Sequence, residues 1–256
     1  MVWYHFLMIG SLLLVFVAGV IFSFKSAVIK SRIKTLLLDA DGTLLDFNRS
    51  EAEALRETFS ELNYPFDENT HAVYHRNNDA CWKALERGEI TRDDLKVLRF
   101  QRTFSELGID GDAALTTKTY EGNLSKYAFP YEGAEDLCRK LAKKYNLYIV
   151  TNGLKHVQTA RMVQTQFPQI VKGIYISEDV GYAKPAAEFF DRIFSDHPEL
   201  KREETMIVGD SLSGDILGGN QASIYTCWLN SEGTPRPEDL RIDAEISHIT
   251  QLEKVL

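Results

Sequence analysis

Five short apolar runs, separated by amphipathic stretches, constrain the fold of this chain more than any other feature. The runs occupy residues 33–38, 147–150, 174–176, 206–208 and 224–229. Runs of this length without polar alternation are typical of strands that are buried on both faces of a parallel sheet. The amphipathic stretches predict helices over residues 134–144, 155–167, 187–194 and 213–222. The pattern therefore predicts an α/β fold in which helices cover both faces of a parallel sheet.

Residues 49–129 interrupt this alternation. Their periodicity predicts four successive helices, over residues 51–62, 70–87, 91–107 and 113–124. Thr91 with Asp94 three residues later fits a capping box at the start of the third of these helices. We therefore expect a core made of residues 33–48 and 130–256, with a helical cap inserted after the first strand at residues 49–129.

The chain begins with a hydrophobic segment and a basic linker, residues 1–32. Residues 6–24 carry no charged side chain and would span about 28 Å as a helix, close to the thickness of a bilayer core. The basic residues after this run predict a membrane anchor with the remainder of the chain in the cytoplasm. A dispensable extension of the reading frame, which would leave a cytoplasmic protein, and a cleaved signal peptide are the alternatives.

The charge balance limits the kinds of partner. The chain has 37 acidic and 29 basic side chains, which gives a formal net charge of -8. An acidic surface repels the phosphates of nucleic acids, so the sequence argues against a nucleic-acid-binding protein. An anionic substrate would have to be met locally by a metal ion, a lysine or a helix N-terminus.

Four polar clusters follow four of the predicted strands. They are Asp39-Ala40-Asp41-Gly42-Thr43, Thr151-Asn152-Gly153, Lys184-Pro185, and Gly209-Asp210 with Asp215. Each alone could be an ordinary turn or helix cap. Because ligands of such sheets bind beyond the carboxyl ends of the strands, four clusters at neighbouring ends indicate one site. Its carboxylates and lysine favour metal-assisted phosphoryl chemistry.

These clusters resemble, in order, the four motifs of the haloacid dehalogenase-like superfamily of phosphatases. The resemblance extends from residue 33 to the end of the chain, and the position of the helical insert is similar to that superfamily's cap. It implies a Rossmann-like doubly wound parallel sheet with a helical cap inserted after the first strand, and Mg²⁺ as the cofactor.

The resemblance also implies a role for each polar residue. Asp39 would be the nucleophile that forms an aspartyl-phosphate, and Asp41 the general acid and base. Lys184 would offset negative charge, while Thr151 and Asn152 would hold the phosphoryl oxygens.

A second set of implied roles concerns the metal. Asp39, Asp210 and the backbone carbonyl of Asp41 would bind Mg²⁺. Asp215 would contact these ligands or bind the ion through a water molecule. Thr43 is expected to orient Asp41 by hydrogen bonding.

Three further stretches are similar to the noncanonical pyrimidine 5′-nucleotidases of this superfamily, namely residues 176–185, 215–220 and 226–230. This similarity implies nucleoside monophosphates such as UMP, dUMP and dTMP as substrates. In the cap, Asn78 and Trp82 fall within the similarity, and Phe47 could stack on a base.

Other functions stay open at this point. The same core would serve a phosphatase of small sugar or glycolate phosphates, or a phosphomutase. A catalytically idle, membrane-tethered binding protein is disfavoured because Asp39, Asp41, Lys184 and Asp210 are all present. Dehalogenation is disfavoured because, as the resemblance implies, that branch does not need an acid/base aspartate at position 41. The sequence leaves the oligomeric state open.

Overall fold

A computed structural model describes residues 31–256 and confirms the α/β fold. Six parallel strands form one sheet in the order β3-β2-β1-β4-β5-β6. The strands are β1 (Thr35–Asp39), β2 (Asn146–Thr151), β3 (Gly173–Ile176), β4 (Thr205–Gly209), β5 (Tyr225–Leu229) and β6 (Ala244–Ile246).

The helices fall into two groups. Four of them lie within residues 47–124, directly after β1 in the sequence, and are called the cap from here on: α1 (Phe47–Glu61), α2 (Glu68–Glu86), α3 (Arg92–Leu107) and α4 (Ala113–Leu124). The others accompany the sheet: α5 (Ala134–Leu141), α6 (Lys155–Met162), α7 (Phe167–Ile170), α8 (Ser177–Val180), α9 (Ala187–Asp196), α10 (Leu217–Gln221) and α11 (Leu252–Val255). A π-helical turn over Leu212–Ile216 precedes α10.

Strand β1 lies at the centre of the sheet, and its three leucines place apolar side chains on both faces. Leu36 and Leu38 belong to an apolar cluster with α5, whereas Leu37 packs with Phe189 and Phe190 of α9. β1 pairs with β2 on one side and with β4 on the other. The strand order therefore changes direction beside β1, and a crevice at the carboxyl end of this strand is the expected position of a ligand site.

The cap has an aromatic core of its own. Its largest members are Phe59, Tyr74, Phe100, Phe104 and Tyr120. Two side chains from the start of the α6 region, at positions 154 and 157, belong to the same cluster. The cap is thereby packed against the segment that follows β2, close to the carboxyl edge of the sheet. The capping box predicted at the start of α3 is present.

Three of the differences from the sequence-based prediction have a local cause. α1 begins at Phe47 rather than at residue 51, because the Asp46 side chain caps its N-terminus. α6 ends at Met162 rather than at residue 167. The Met162 carbonyl oxygen accepts from the Thr165 hydroxyl at 2.8 Å. Strand β6 is absent from the prediction, because the exposed Glu245 at its centre interrupts the apolar run.

The hydrophobic segment predicted to be a membrane anchor, residues 6–24, lies outside the residues that the structure describes. Across residues 31–256, every helix is too short or too polar to cross a lipid bilayer.

A buried carboxylate links the first two helices of the cap. The Glu51 side chain is fully buried; its Oε2 lies 2.6 Å from His75 Nδ1 and its Oε1 accepts from Asn78 Nδ2 at 2.8 Å. The hydrogen bond with Glu51 raises the pKa of His75 above its usual value of 6.5, against the opposing effect of partial burial.

This contact predicts a pH-dependent contribution to stability. Because the pKa of His75 is higher in the folded state, the contribution is complete below 6.5 and is lost as pH rises through the raised pKa. Half of the His75 side chain is exposed, so we expect His75→Gln to cost about 0.5 kcal/mol near pH 6, and less near pH 9. Thermal denaturation of both proteins across this range measures the effect. A difference that grows with pH would contradict the assignment.

Candidate active site

Three carboxylates and one lysine meet at the carboxyl edge of β1 and β4. Asp39 is the last residue of β1, Asp210 directly follows β4, and Asp215 lies in the π-helical turn. Carboxylate oxygens of the three lie within 4.8 Å of one another. Lys184, from the loop between α8 and α9, reaches the same place. The structure therefore brings together four of the residues that the sequence analysis selected from three separate motifs.

Lys184 lies between two of these carboxylates. Its Nζ donates to Asp39 Oδ1 at 2.5 Å, to Asp215 Oδ1 at 2.6 Å and to the Val150 carbonyl oxygen at 3.0 Å, and only 3% of its side chain is exposed. Burial alone would lower the pKa of Lys184, but the charges of Asp215 and Asp39 raise it. The two carboxylates therefore favour the charged form of the lysine at this site.

Asn152 fixes the backbone of this lysine. Its Nδ2 donates to the Lys184 carbonyl oxygen at 2.8 Å, and its Oδ1 accepts from the Lys184 backbone N–H at 2.9 Å. The side chain of the second residue of the Thr-Asn-Gly motif is thus used to place the lysine of the next motif.

The carboxylates are crowded. Burial, together with the charges of Asp215 and Asp210, raises the pKa of Asp39 well above its usual value although Lys184 lowers it. Loss of solvation and the charge of Asp215 raise the pKa of Asp210 to about 7. Three carboxylates face one ammonium group, so the cluster has a surplus of negative charge when all three carboxylates are ionised. An all-oxygen set of donors with this charge fits a divalent cation such as Mg²⁺.

Asp210 is held through both its side chain and its backbone. The Thr43 hydroxyl donates to Asp210 Oδ1 at 3.2 Å, and Trp228 Nε1 donates to the Asp210 carbonyl oxygen at 3.0 Å. The expectation that Thr43 orients Asp41 is therefore wrong. In the tight turn after β1, the hydroxyl of Thr43 points toward the end of β4.

Two glycines make room for these carboxylates. Gly42 has a φ of 82°, a left-handed conformation, and a Cβ there would lie 2.4 Å from Asp210 Oδ2. A Cβ at Gly209 would lie 2.1 Å from Asp215 Oδ2. The same oxygen of Asp215 accepts from the Ser211 backbone N–H at 3.1 Å. Asp215 is thus fixed by Lys184 on one oxygen and by the backbone on the other.

Thr151 presents a hydroxyl at the neighbouring strand end. β2 pairs with β1 so that Val150 lies opposite Asp39, and Thr151 extends one residue further. Its Oγ1 accepts from the Gly153 backbone N–H at 3.1 Å and from Gln158 Nε2 at 2.8 Å. Because both of these groups are donors, the hydroxyl proton can be donated to another acceptor.

Asp41 has two partners that the sequence analysis did not select. Gln158 Nε2 donates to Asp41 Oδ2 and Arg161 Nη1 donates to Asp41 Oδ1, each at 2.6 Å. Both partners come from α6, where their spacing of three residues places them on one face. This spacing is the one sequence signal for them, and it does not distinguish them from solvated side chains.

The cap also contacts the site through residues that the sequence analysis missed. The Glu86 carboxylate, at the end of α2, accepts a short hydrogen bond from the Ser213 hydroxyl. Arg92, at the start of α3, donates to the Asn152 carbonyl oxygen at 2.9 Å and to Ser177 Oγ at 2.7 Å. The loop between α2 and α3 is thereby held beside the carboxylate cluster.

The three candidate substrate residues of the cap occupy different surroundings. Phe47 packs against the cap cluster, with the Arg161 guanidinium 5.8 Å from its ring centre. Asn78 is buried, and its amide is bonded within the cap, since Oδ1 also accepts from Arg99 Nη1 at 3.3 Å. Trp82 is half-buried and lies one turn before Glu86, so it shares the face of α2 that approaches the core.

The chain is similar in sequence and in structure to known hydrolases. Residues 33–223 match the family of haloacid dehalogenase-like hydrolases. The chain is 38% identical to the HAD-hydrolase YfnB of Bacillus subtilis over 225 residues, 88% of this chain and 96% of YfnB. The crystal structure of YfnB bound to magnesium matches with a TM-score of 0.84, covering 88% of this chain and 99% of that one.

Two other relatives are named for an activity. The pyrimidine 5′-nucleotidase PynA of Streptococcus pneumoniae is 36% identical over 198 residues, 77% of this chain and 84% of PynA. The pyrimidine 5′-nucleotidase YjjG of Escherichia coli is 28% identical over 221 residues, 86% of this chain and 96% of YjjG.

Proposed function

The chain belongs to the haloacid dehalogenase-like hydrolases, and we propose that it is a phosphomonoesterase that acts on pyrimidine nucleoside monophosphates. The observation that carries this proposal is the position of Lys184 between Asp39 and Asp215. A carboxylate at a strand end, with a fixed cation beside it and surplus negative charge around it, suits attack on a phosphate monoester.

Asp39 would be the nucleophile. In the first step its carboxylate oxygen bonds to phosphorus while the bond from phosphorus to the ester oxygen breaks, and Asp41 gives a proton to that oxygen. In the second step water attacks phosphorus and gives a proton to Asp41, and the bond from phosphorus to Asp39 breaks. Inorganic phosphate leaves and both carboxyl groups return to their starting forms.

The neighbouring residues would bind and orient the phosphate. The Thr151 hydroxyl can donate to a phosphoryl oxygen, and we assign the Asn152 backbone N–H the same role. Lys184 offsets the charge that accumulates when a phosphate approaches Asp39. Mg²⁺, when held by Asp39, Asp210 and the backbone carbonyl of Asp41, would supply further charge neutralisation. Asp215 would contact these ligands or bind the ion through a water molecule, and its two oxygens already accept from Lys184 and from the Ser211 backbone.

The substrate class rests on the relatives. PynA and YjjG are both named pyrimidine 5′-nucleotidases, and the match to each covers more than three quarters of this chain. Among the cap candidates, Trp82 has the position best suited to contact a base, because it lies one helical turn before Glu86, which bonds to Ser213 of the core. The sugar of the nucleotide would then lie between the cap and the carboxylate cluster.

A panel of phosphate monoesters tests the proposal. We expect the purified full chain with Mg²⁺ to release phosphate from UMP and dTMP with a kcat/KM at least about tenfold above that for AMP, phosphoglycolate and glucose 1-phosphate. EDTA is expected to abolish turnover, and added Mg²⁺ to restore it. An Asp39→Asn protein purified in parallel controls for contaminating phosphatases.

The outcomes of this panel test the enzyme class and the substrate class separately. Preference for phosphoglycolate or a sugar phosphate would contradict the nucleotidase and leave a phosphatase. No release from any member of the panel, by a folded protein with Mg²⁺, would contradict the phosphomonoesterase itself.

A further inference from the structure

The carboxylate of Asp41 is held at both oxygens by two side chains of α6. Arg161 binds Oδ1 and Gln158 binds Oδ2, each at 2.6 Å. The arginine side chain is fully buried, while about a quarter of the Asp41 side chain is exposed. We propose that Arg161, together with Gln158, is a positioning residue that fixes Asp41 for proton transfer, a proposal that rests on the phosphomonoesterase function above.

The burial of Arg161 requires an explanation, because a guanidinium group is costly to remove from water unless it is paired and hydrogen-bonded. Here each of the three nitrogens donates at least one hydrogen bond. Nε donates to the Tyr127 carbonyl oxygen at 2.9 Å, Nη1 donates to Asp41 and Gln158, and Nη2 donates to the Ser50 hydroxyl at 3.3 Å. Its one charged partner within the described residues is Asp41.

These partners place Arg161 at both connections between the cap and the core. Ser50 lies in the first turn of α1, where the chain enters the cap. Tyr127 lies after the end of α4, where the chain returns to the core. The orientation of Asp41 is therefore tied to the two segments that carry the cap.

Gln158 connects Asp41 to the phosphate-binding side of the site. Its Nε2 donates to Asp41 Oδ2 and to Thr151 Oγ1, and its Oε1 accepts from Arg161 Nη1 at 3.0 Å. A Cβ at Gly153 would lie 2.5 Å from this Nε2. The glycine of the Thr-Asn-Gly motif thus leaves the space in which the Gln158 side chain lies.

This arrangement suits a group that must both give and take a proton. After Asp41 has protonated the ester oxygen it is a carboxylate, the form that Arg161 binds best. It then has to stay aligned until water attacks the phosphorus. Positioned acid–base groups contribute about 10² to 10⁴-fold to such reactions, and a misplacement of about 1 Å can remove about 10²-fold.

The test uses two substrates that differ in their need for a proton. The nucleoside leaving group of UMP needs protonation, whereas the nitrophenolate of p-nitrophenyl phosphate leaves without it. For Arg161→Met we expect kcat/KM to fall about 10²-fold on UMP and by less than about fivefold on p-nitrophenyl phosphate. Gln158→Met should show the same selectivity with a smaller loss, and Arg161→Lys should recover part of the activity on UMP.

Two further measurements distinguish positioning from a general structural role. In an Asp41→Asn background, Arg161→Met should change kcat/KM on UMP by less than about threefold, because the two residues act as one unit. Arg92→Met is the matched control, since Arg92 also joins cap to core but does not touch Asp41. Any loss of kcat/KM in Arg92→Met should be equal on UMP and on p-nitrophenyl phosphate.

Each outcome decides between the two proposals. Equal losses on both substrates in the Arg161 and Gln158 variants, or additive losses with Asp41→Asn, would overturn the positioning role. If Arg161→Met does not fold, Gln158→Met decides alone by the same criterion. If wild-type protein hydrolyses neither substrate, the phosphomonoesterase function fails; if it prefers another alkyl phosphate, that ester replaces UMP.

Discussion

Asp39→Asn is expected to reduce phosphate release from UMP by at least about 10³-fold, because an amide cannot form the acyl phosphate and no neighbouring group replaces it. The fold should persist. Burial raises the pKa of Asp39, so its charge is unfavourable in the folded protein, and Lys184 keeps Asp215 as a partner after the substitution. We expect the free energy of unfolding to change by less than about 1 kcal/mol.

Steady-state phosphate release and thermal denaturation measure these two quantities. Rapid acid quench of wild-type protein during turnover, followed by mass spectrometry, should detect a phosphoryl group on Asp39, and the variant should carry none. Asp79→Asn is the matched control, because the same chemical change is made at a half-exposed aspartate that pairs with Lys83 on the cap surface. Turnover by Asp39→Asn within tenfold of wild type would remove Asp39 from the mechanism.

The sequence predicted the parts of the site that depend on strands. Strand β1 contains three consecutive leucines because both of its faces are buried, and such a run is recognisable without any knowledge of its neighbours. Once the strands are parallel, their carboxyl ends share an edge, so the gathering of Asp39, Lys184 and Asp210 follows from topology. The capping box at Thr91 is equally local and was predicted for the same reason.

The partners of individual side chains could not be predicted in this way. Arg161 and Asp41 are 120 residues apart, and their contact depends on how α6 is rotated against the turn after β1. Thr43 has two carboxylates nearby, and the sequence does not say that its hydroxyl reaches Asp210. A buried arginine is also rare enough that a helical Arg is first assigned to solvent. Pairing of polar groups over long sequence distances therefore required the structure.

The contacts between the cap and the core could not be predicted from the sequence either. The sequence indicated a helical insert that follows the first strand, but not which of its residues would reach the core. Glu86 and Arg92 flank the loop between α2 and α3, and both bond to loops that carry site residues. These hydrogen bonds hold the loop between α2 and α3 against the core.

Lys184→Met is expected to reduce both the stability and the activity of the protein. It leaves Asp39 and Asp215 in a buried position without their shared cation. Removing one partner of a buried ion pair costs about 3 to 5 kcal/mol, which for a chain of this size lowers Tm by about 6 to 20 °C. We expect kcat/KM on UMP to fall at least about 10²-fold, because the phosphate meets uncompensated charge at Asp39.

Removing one of the two carboxylates in the Lys184→Met background shows whether the lost stability is due to charge or to packing. In Lys184→Met/Asp215→Asn, one less charge is buried, so most of the lost stability should return while activity stays low. Denaturation is measured in EDTA, so that no divalent cation substitutes for the ammonium group. Lys34→Met is the matched control, since Lys34 forms an exposed ion pair with Glu204 and should change stability by less than about 1 kcal/mol. If the double variant is as unstable as Lys184→Met, the lysine stabilises the core by its contacts rather than by its charge.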